Sequence, residues 1–162
     1  FLRLNYYPLC ADPAPANADT IPKNGHLGIN HHTDAGALTV LIQNNQAGLQ
    51  VLRDGSWELV DPRPDALVIN IGDIVQVWSN DLYPAPLHRV LANSEQVRYS
   101  AAFFCNPTYD TDYTPLPSLC SAGRGPRYRR INWGEFRAGR AAGDYADFGH
   151  EIQIADFAID KA

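Results

Sequence analysis

The chain has 162 residues, 45% of them hydrophobic and 19% charged, with 12 glycines, 12 prolines and a formal net charge of −5. That length and balance suit a single soluble globular domain with a core of its own, and the acidic balance argues against nucleic acid or an anionic membrane as the main partner. No apolar run approaches the ~20 residues that span a bilayer, and no secretory pattern opens the chain. Three cysteines, Cys10, Cys105 and Cys120, are odd in number and too dispersed for a disulfide framework, so a reducing cytoplasm is the expected location. There is no methionine, and the first residue lies inside an apolar run, which reads as a fragment or a processed piece.

Residues 1–7 alternate apolar and polar side chains and are rich in aromatics, so they predict a strand ended by Pro8, with Asn5 and Tyr7 on one face. From 11 to 24 the composition turns to Pro, Ala, Asp and Asn without period, a surface loop where local disorder is expected and catalysis is not. Leu27 to Asn30 leads as a strand into His31-His32-Thr33-Asp34, and 38–43 predicts another strand. Residues 48–53 and 56–60 flank Asp54-Gly55, whose central residues take positive φ at low cost, predicting a hairpin. The runs 66–71, 73–78, 87–92 and 98–105 read as four more strands, with Gly72 as the break between the first two. Short strands at this spacing, without an internal repeat, predict a sandwich or barrel. After Pro107 the pattern fades through a Pro-rich loop, and 133–140 predicts a helix start weakened by glycines. The basic cluster at 124–130 reads as a solvated loop.

His32 and Asp34 lie two apart, so on a strand both would leave the backbone on one side. They are either a hydrogen-bonded pair or two thirds of a metal site, since two imidazoles and one carboxylate form the facial triad of non-haem Fe(II) oxygenases. Of the remaining histidines, His26 sits in a Gly-flanked loop, His31 faces away from His32, and His150 lies in the tail. His88 opens its own strand, and a rolled sheet can bring that end back beside the pair. Arg98 and Ser100 again share a face. The guanidinium fork suits a carboxylate ligand, or else an acidic side chain, and Ser100 adds a hydroxyl or is simply a small strand residue.

In this order and at these separations the residues resemble the iron- and 2-oxoglutarate-dependent dioxygenases. The similarity is to the branch that includes isopenicillin N synthase and the plant flavonoid, gibberellin and ethylene-forming oxidases. It extends to about Pro107 and includes Asn5-Tyr6-Tyr7-Pro8-Leu9-Cys10, Gly48-Leu49-Gln50-Val51, Asn70-Ile71-Gly72-Asp73 and Leu87-His88-Arg89-Val90. The resemblance implies an all-β core, a double-stranded β-helix or jelly roll, followed by a short C-terminal helical tail. It implies one catalytic domain with its core over about 1–107 and a loop and tail over 108–162, lacking the helical segment that the family carries before this core.

It further implies Fe(II) held by His32, Asp34 and His88, with three positions on an octahedral ion left for small molecules. Two of these would take the keto oxygen and adjacent carboxylate of 2-oxoglutarate, and the third dioxygen. Arg98 and Ser100 would hold the distal carboxylate, with Tyr7 as a further hydroxyl donor and Asn5 as a helper on the metal side. Phe104 would line the substrate pocket, unless it is a core phenylalanine. The implied reaction is oxidative decarboxylation of 2-oxoglutarate to succinate and CO2, coupled to hydroxylation or desaturation of a small molecule, with ascorbate as an accompanying reductant. Two alternatives stay open: an iron oxidase that needs no 2-oxoglutarate, of the isopenicillin N synthase or ethylene-forming type, and a non-catalytic metal-binding jelly roll.

Overall fold

A computed structural model describes residues 1–19, 22–120, 123, 125–145 and 152–159. Two compact units emerge. The first comprises residues 1–34, 38–70 and 86–105, and the second 35–37, 71–85 and 106–162.

The first unit is built from eight strands: β1 (Leu2–Tyr7), β2 (Leu27–His32), β3 (Leu38–Gln43), β4 (Leu49–Arg53), β5 (Ser56–Leu59), β6 (Val68–Ile71), β7 (His88–Leu91) and β8 (Arg98–Cys105). They form two four-stranded sheets ordered β1-β8-β3-β6 and β2-β7-β4-β5, the interleaved order of the expected jelly roll. The predicted hairpin is β4–β5, with Asp54 at φ 48° and Gly55 at φ 80°. Between the inner faces, Tyr7, Leu49 and Val90 are buried, with Ile29, Leu41, Val60 and Val68 packed around them.

On β1 the usual sidedness is inverted. Leu2, Leu4 and Tyr6 are 60%, 77% and 59% exposed, while Tyr7 on the alternate face is buried. A strand that turns polar side chains inward is lining a site rather than completing a core.

The loop at 11–19 is tied down rather than loose. Arg89, fully buried, donates to the carbonyls of Ala16, Ala18 and Asp19 and to Gln50 Oε1, and it stacks 4.1 Å from the centre of the Trp57 ring. Burial pushes its pKa down.

The second unit corrects one expectation. Residues 73–78 are not a strand but helix α1 (Asp73–Trp78). Ile74 and Val77 are both 0% exposed and share one core. Three apart on a strand they would face opposite sides, whereas three apart on a helix they face the same one. Gly72 ends the extended run, with its N–H bonded to Ala37 O, and the N–H of Ile74 bonds Gly36 O. The β-branched composition that suggests a strand is outweighed by packing.

Two short strands that the sequence pattern does not reveal, β9 (Asp112–Tyr113) and β10 (Ile131–Asn132), pair antiparallel. The second runs directly into the expected helix, α2 (Trp133–Tyr145). Trp133, Phe136, Ile131 and Tyr113 complete this core. Beside them the buried Arg140 pairs with Asp73 at 3.2 Å, and burial raises the pKa of the Tyr113 hydroxyl.

Within the basic cluster, Arg127 pairs with Asp81 at 2.8 Å, Arg130 with Asp112 at 2.6 Å, and Arg129 lies over Phe157. Two of the cluster's arginines thus meet an acidic partner within the unit. Arg124 and His150 lie outside the described residues. Among the described residues no helix is long and apolar enough to cross a membrane.

Candidate active site

His32 and His88 meet because β2 and β7 are paired irregularly. A uniform antiparallel register continued from Leu27↔Leu91 would set Asn30 against His88, but shifts on either side of Ile29 bring His32 there instead. Such irregularities re-aim side chains at the ends of paired strands. The two rings stand 4.3 Å apart, tilted by 52°.

Asp34 reaches them differently from the sequence argument. β2 ends at His32, so strand alternation does not position Asp34, which lies in the irregular stretch between β2 and the bend at 35–37. It is buried, and two donors hold its Oδ2: Thr39 Oγ1 at 2.5 Å and Asn70 Nδ2 at 2.8 Å. The other oxygen, Oδ1, lies 3.7 Å from the Nε2 of both His32 and His88.

The donor chemistry fits a divalent metal. His32 Nδ1 sits 2.8 Å from Asn30 O and His88 Nδ1 3.1 Å from Pro86 O. A carbonyl can only accept, so each Nδ1 carries the proton and each Nε2 lone pair is directed to the common point. With Asp34 Oδ1 this makes a two-imidazole, one-carboxylate set whose ligand atoms all lie within 4.8 Å of one another. These borderline donors suit a divalent transition ion, and Fe(II) is held by such a facial set in non-haem oxygenases. His31 and His26 are not part of the cluster.

The cavity above this cluster extends to Arg98. Its wall includes Asn5, Tyr7, Ser100 and Phe104. Arg98 and Ser100 are buried, while Tyr99 between them is 51% exposed, as strand alternation requires.

No acidic partner meets Arg98 among the described residues. Its Nη2 donates to Gln43 Oε1 at 2.7 Å, its guanidinium lies 4.8 Å from the centre of the Tyr7 ring, and Nε and Nη1 are buried without a partner. Burial pushes its pKa down, with Tyr7 pulling the other way. A buried cation with two orphaned N–H groups is costly unless an anion completes it. This is the second respect in which the residues fit the expected ligands: a dicarboxylate reaching from the metal cluster to Arg98 would satisfy both ends.

The register orders the wall. Tyr7 faces Arg98, and Asn5 faces Ser100 and donates to its Oγ at 3.3 Å. Farther along β8, Phe104 pairs with Thr39, the residue that holds Asp34, so the clamp and the metal cluster occupy opposite ends of the strand. Phe104 is half-buried, its ring stacked 4.8 Å from Phe1.

The sequence alone assigns no role to Thr39, Asn70, Gln43, Gly28 or Gly48. Asn70 is the lone polar residue in an apolar run, a usable signal. The glycines are explained only by contact. A Cβ on Gly48 would lie 3.1 Å from Arg98 Cδ, and one on Gly28 would lie 2.9 Å from the Tyr7 ring. Both leave room for side chains of the clamp.

Removing Thr39's hydroxyl tests the support of Asp34. Thr39→Ala leaves Oδ2 with one donor, and outer-shell losses of this kind typically cost 10–100-fold in metal affinity. Thr39→Ser keeps the donor and should bind as the parent does. Co(II) titration followed by its absorption would show this, and equal affinity in Thr39→Ala would exclude the supporting role.

Comparisons with known proteins agree with this geometry. A family model described as the 2OG-Fe(II) oxygenase superfamily matches residues 1–107. Gibberellin 2-beta-dioxygenase 6 of Oryza sativa subsp. japonica is 41% identical over 157 residues, which is 97% of this chain and 39% of that protein. Gibberellin 3-beta-dioxygenase 1 of Arabidopsis thaliana is 40% identical over 136 residues, 83% of this chain and 35% of that protein. The crystal structure of JOX2 in complex with 2OG, Fe and JA is 39% identical, with a TM-score of 0.73 over 85% of this chain and 38% of that one. The chain thus spans less than half the length of these relatives. With the family model matching some two thirds of its residues, the whole jelly roll among them, the chain belongs to the 2OG-Fe(II) oxygenase superfamily.

Proposed function

We propose that this chain is the catalytic core of an oxygenase that couples oxidative decarboxylation of 2-oxoglutarate to oxidation of a small organic molecule. The observation that carries the reading is one cavity containing both the His32, Asp34, His88 cluster and the buried, incompletely bonded Arg98. The relatives bear the names of gibberellin dioxygenases, and one related structure holds 2OG, Fe and JA. These support a small-molecule substrate.

His32 Nε2, Asp34 Oδ1 and His88 Nε2 would hold the Fe(II), which when bound supplies the redox chemistry linking dioxygen to substrate oxidation. Arg98 binds the distal carboxylate of 2-oxoglutarate through its fork, aimed by Gln43 and by the Tyr7 face. Ser100 adds a hydroxyl donor, with Asn5 orienting it, and the Tyr7 hydroxyl is a further donor. Thr39 and Asn70 occupy Asp34 Oδ2, so that Oδ1 alone faces the imidazoles. Ile29, Leu41, Val51 and Val68 keep the cavity apolar and limit the water that could compete for the clamp.

The orphaned Arg98 N–H groups favour an anion-binding oxygenase over a non-catalytic metal-binding domain, and the family match with the related 2OG-bound structure favours 2-oxoglutarate over a co-substrate-independent oxidase. The test is succinate formation by the Fe(II)-loaded chain with ascorbate, with and without 2-oxoglutarate. Succinate that requires both Fe(II) and 2-oxoglutarate is expected. Its absence would exclude the proposed reaction for this chain.

A further inference from the structure

We infer that Gln76 is a positioning residue for the metal ligand His88, acting through the backbone at Ala85 and Pro86. This deepens the reading of the metal cluster and rests on it.

The two imidazoles are not supported alike. His32 is oriented by the carbonyl of Asn30, which lies within β2. His88 opens β7, so the carbonyl that meets its Nδ1, that of Pro86, lies outside the strand. On the side toward β7 the backbone is tied at Leu87, whose carbonyl accepts from Leu52 N–H at 2.8 Å. On the other side the chain arrives through Pro84-Ala85-Pro86. The proline rings set φ at 84 and 86, and Ala85, preceding a proline, is pushed toward extended conformations. Neither proline has an N–H, so Ala85 supplies the one backbone donor of this segment. Gln76 Oε1 accepts it at 2.8 Å. With so few free dihedrals left, that bond holds the Pro86 carbonyl in place against His88.

The Gln76 amide is itself aimed. Its Nε2 donates to Asp81 Oδ1 at 2.9 Å and to the Tyr128 hydroxyl at 3.1 Å, and that hydroxyl in turn donates to Asp81 Oδ1. A carboxylate only accepts, so the nitrogen end of the amide must face Asp81 and its oxygen end Ala85. Arg127 meets the other oxygen of Asp81 at 2.8 Å. The turn that presents Asp81 is strained: Asn80 and Asp81 stand at φ 54° and 64°, two consecutive residues in the left-handed region without a glycine. A bare connection from α1 to β7 does not need that strain, whereas an amide held in one orientation does.

Two substitutions separate positioning from stability. Gln76→Met keeps the length of the side chain and removes both of its hydrogen-bonding ends. Gln76→Glu loses the donor to Asp81 but keeps an oxygen for the Ala85 N–H, and repulsion from Asp81 drives the carboxylate toward that donor. Both variants should melt below the parent in the metal-free state. Only Gln76→Met should lose metal affinity. Co(II) titration followed by absorption should show a fall of about tenfold, the lower end of what outer-shell losses cost, because Gln76 acts one step beyond the carbonyl. Gln76→Glu should bind Co(II) as the parent does. In the Zn(II)-loaded chain carrying isotope-labelled histidine, the His88 Nδ1–H of Gln76→Met should exchange with water several-fold faster than in the parent, while that of His32 keeps its rate. Unchanged Co(II) affinity in folded Gln76→Met would overturn the inference. So would equal losses in Gln76→Met and Gln76→Glu, or faster exchange at both rings. If Gln76→Met does not fold, Gln76→Glu decides alone: parent-like Co(II) binding upholds the inference and weakened binding overturns it. A parent chain that binds no Co(II) would be seen first, and would overturn the metal reading together with this one.

Discussion

Asp34→Ala should abolish stoichiometric Fe(II) binding, with a loss of more than about 100-fold in affinity. Outer-shell changes alone cost 10–100-fold, and this substitution removes a ligand together with the only acidic side chain that the described residues place on the cavity wall. His32→Ala and His88→Ala should do the same, because each Nε2 is oriented by a backbone carbonyl bonded at Nδ1 and no other imidazole joins the cluster among the described residues. His31→Ala and His26→Ala should bind the metal as the parent does. Asp34→Ala also strands the Thr39 hydroxyl and the Asn70 amide, at a cost of about 1–3 kcal/mol for each unpaired buried donor. A melting curve of the metal-free protein therefore belongs beside the titration. A variant that is folded at the assay temperature and binds no Fe(II) meets the prediction. Retained stoichiometric binding in folded Asp34→Ala, or its loss in His31→Ala, would show that the triad is misassigned.

The second large effect concerns Arg98. Arg98→Lys keeps the charge and loses the fork, so affinity for N-oxalylglycine, an inert analogue of 2-oxoglutarate, should fall at least roughly tenfold, equivalent to about 1.4 kcal/mol, while Fe(II) binding survives. Ser100→Ala should give a smaller loss, since it removes one neutral donor and leaves the charge pair. Stability separates this role from a structural one. Nε and Nη1 of Arg98 are buried without partners in the absence of ligand, so the folded chain bears a desolvation cost that ligand would relieve. Arg98→Met removes that cost and should leave Tm unchanged or raise it by a few degrees, at about 2–4 °C per kcal/mol for a chain of this size. An arginine retained for packing would instead lower Tm when replaced. A marked drop in Tm with unchanged N-oxalylglycine affinity in Arg98→Lys would therefore reassign it to the core.

Much of this is legible in the amino-acid order because it depends on local periodicity. Asp54-Gly55 specifies its hairpin through the positive φ that both residues adopt, and strand alternation at 98–105 puts Arg98 and Ser100 inside and Tyr99 outside without reference to the rest of the chain. The short apolar run 73–78 is ambiguous, because six residues satisfy both a strand and a helix pattern until a core selects the period. The pairing of His32 with His88 is also beyond local reading, since it depends on two register shifts in a ladder between strands whose paired histidines lie 56 positions apart.

By itself, then, the sequence determined which side chains could form the metal cluster and the clamp, and on which face of its own strand each clamp residue lies. Those are properties of residue type and of a two-residue repeat. Only the tertiary structure decided that Asp34 presents one oxygen, through Thr39 from β3 and Asn70 from β6. It alone decided that Arg98 faces Gln43 and Tyr7 instead of a carboxylate, and that Gly28 and Gly48 make room for the clamp. Each of these is a contact between segments distant in the chain. Hydrogen bonds and van der Waals exclusion act over a few ångströms, so which distant side chains meet is settled by how the sheets pair, and no local pattern carries that information.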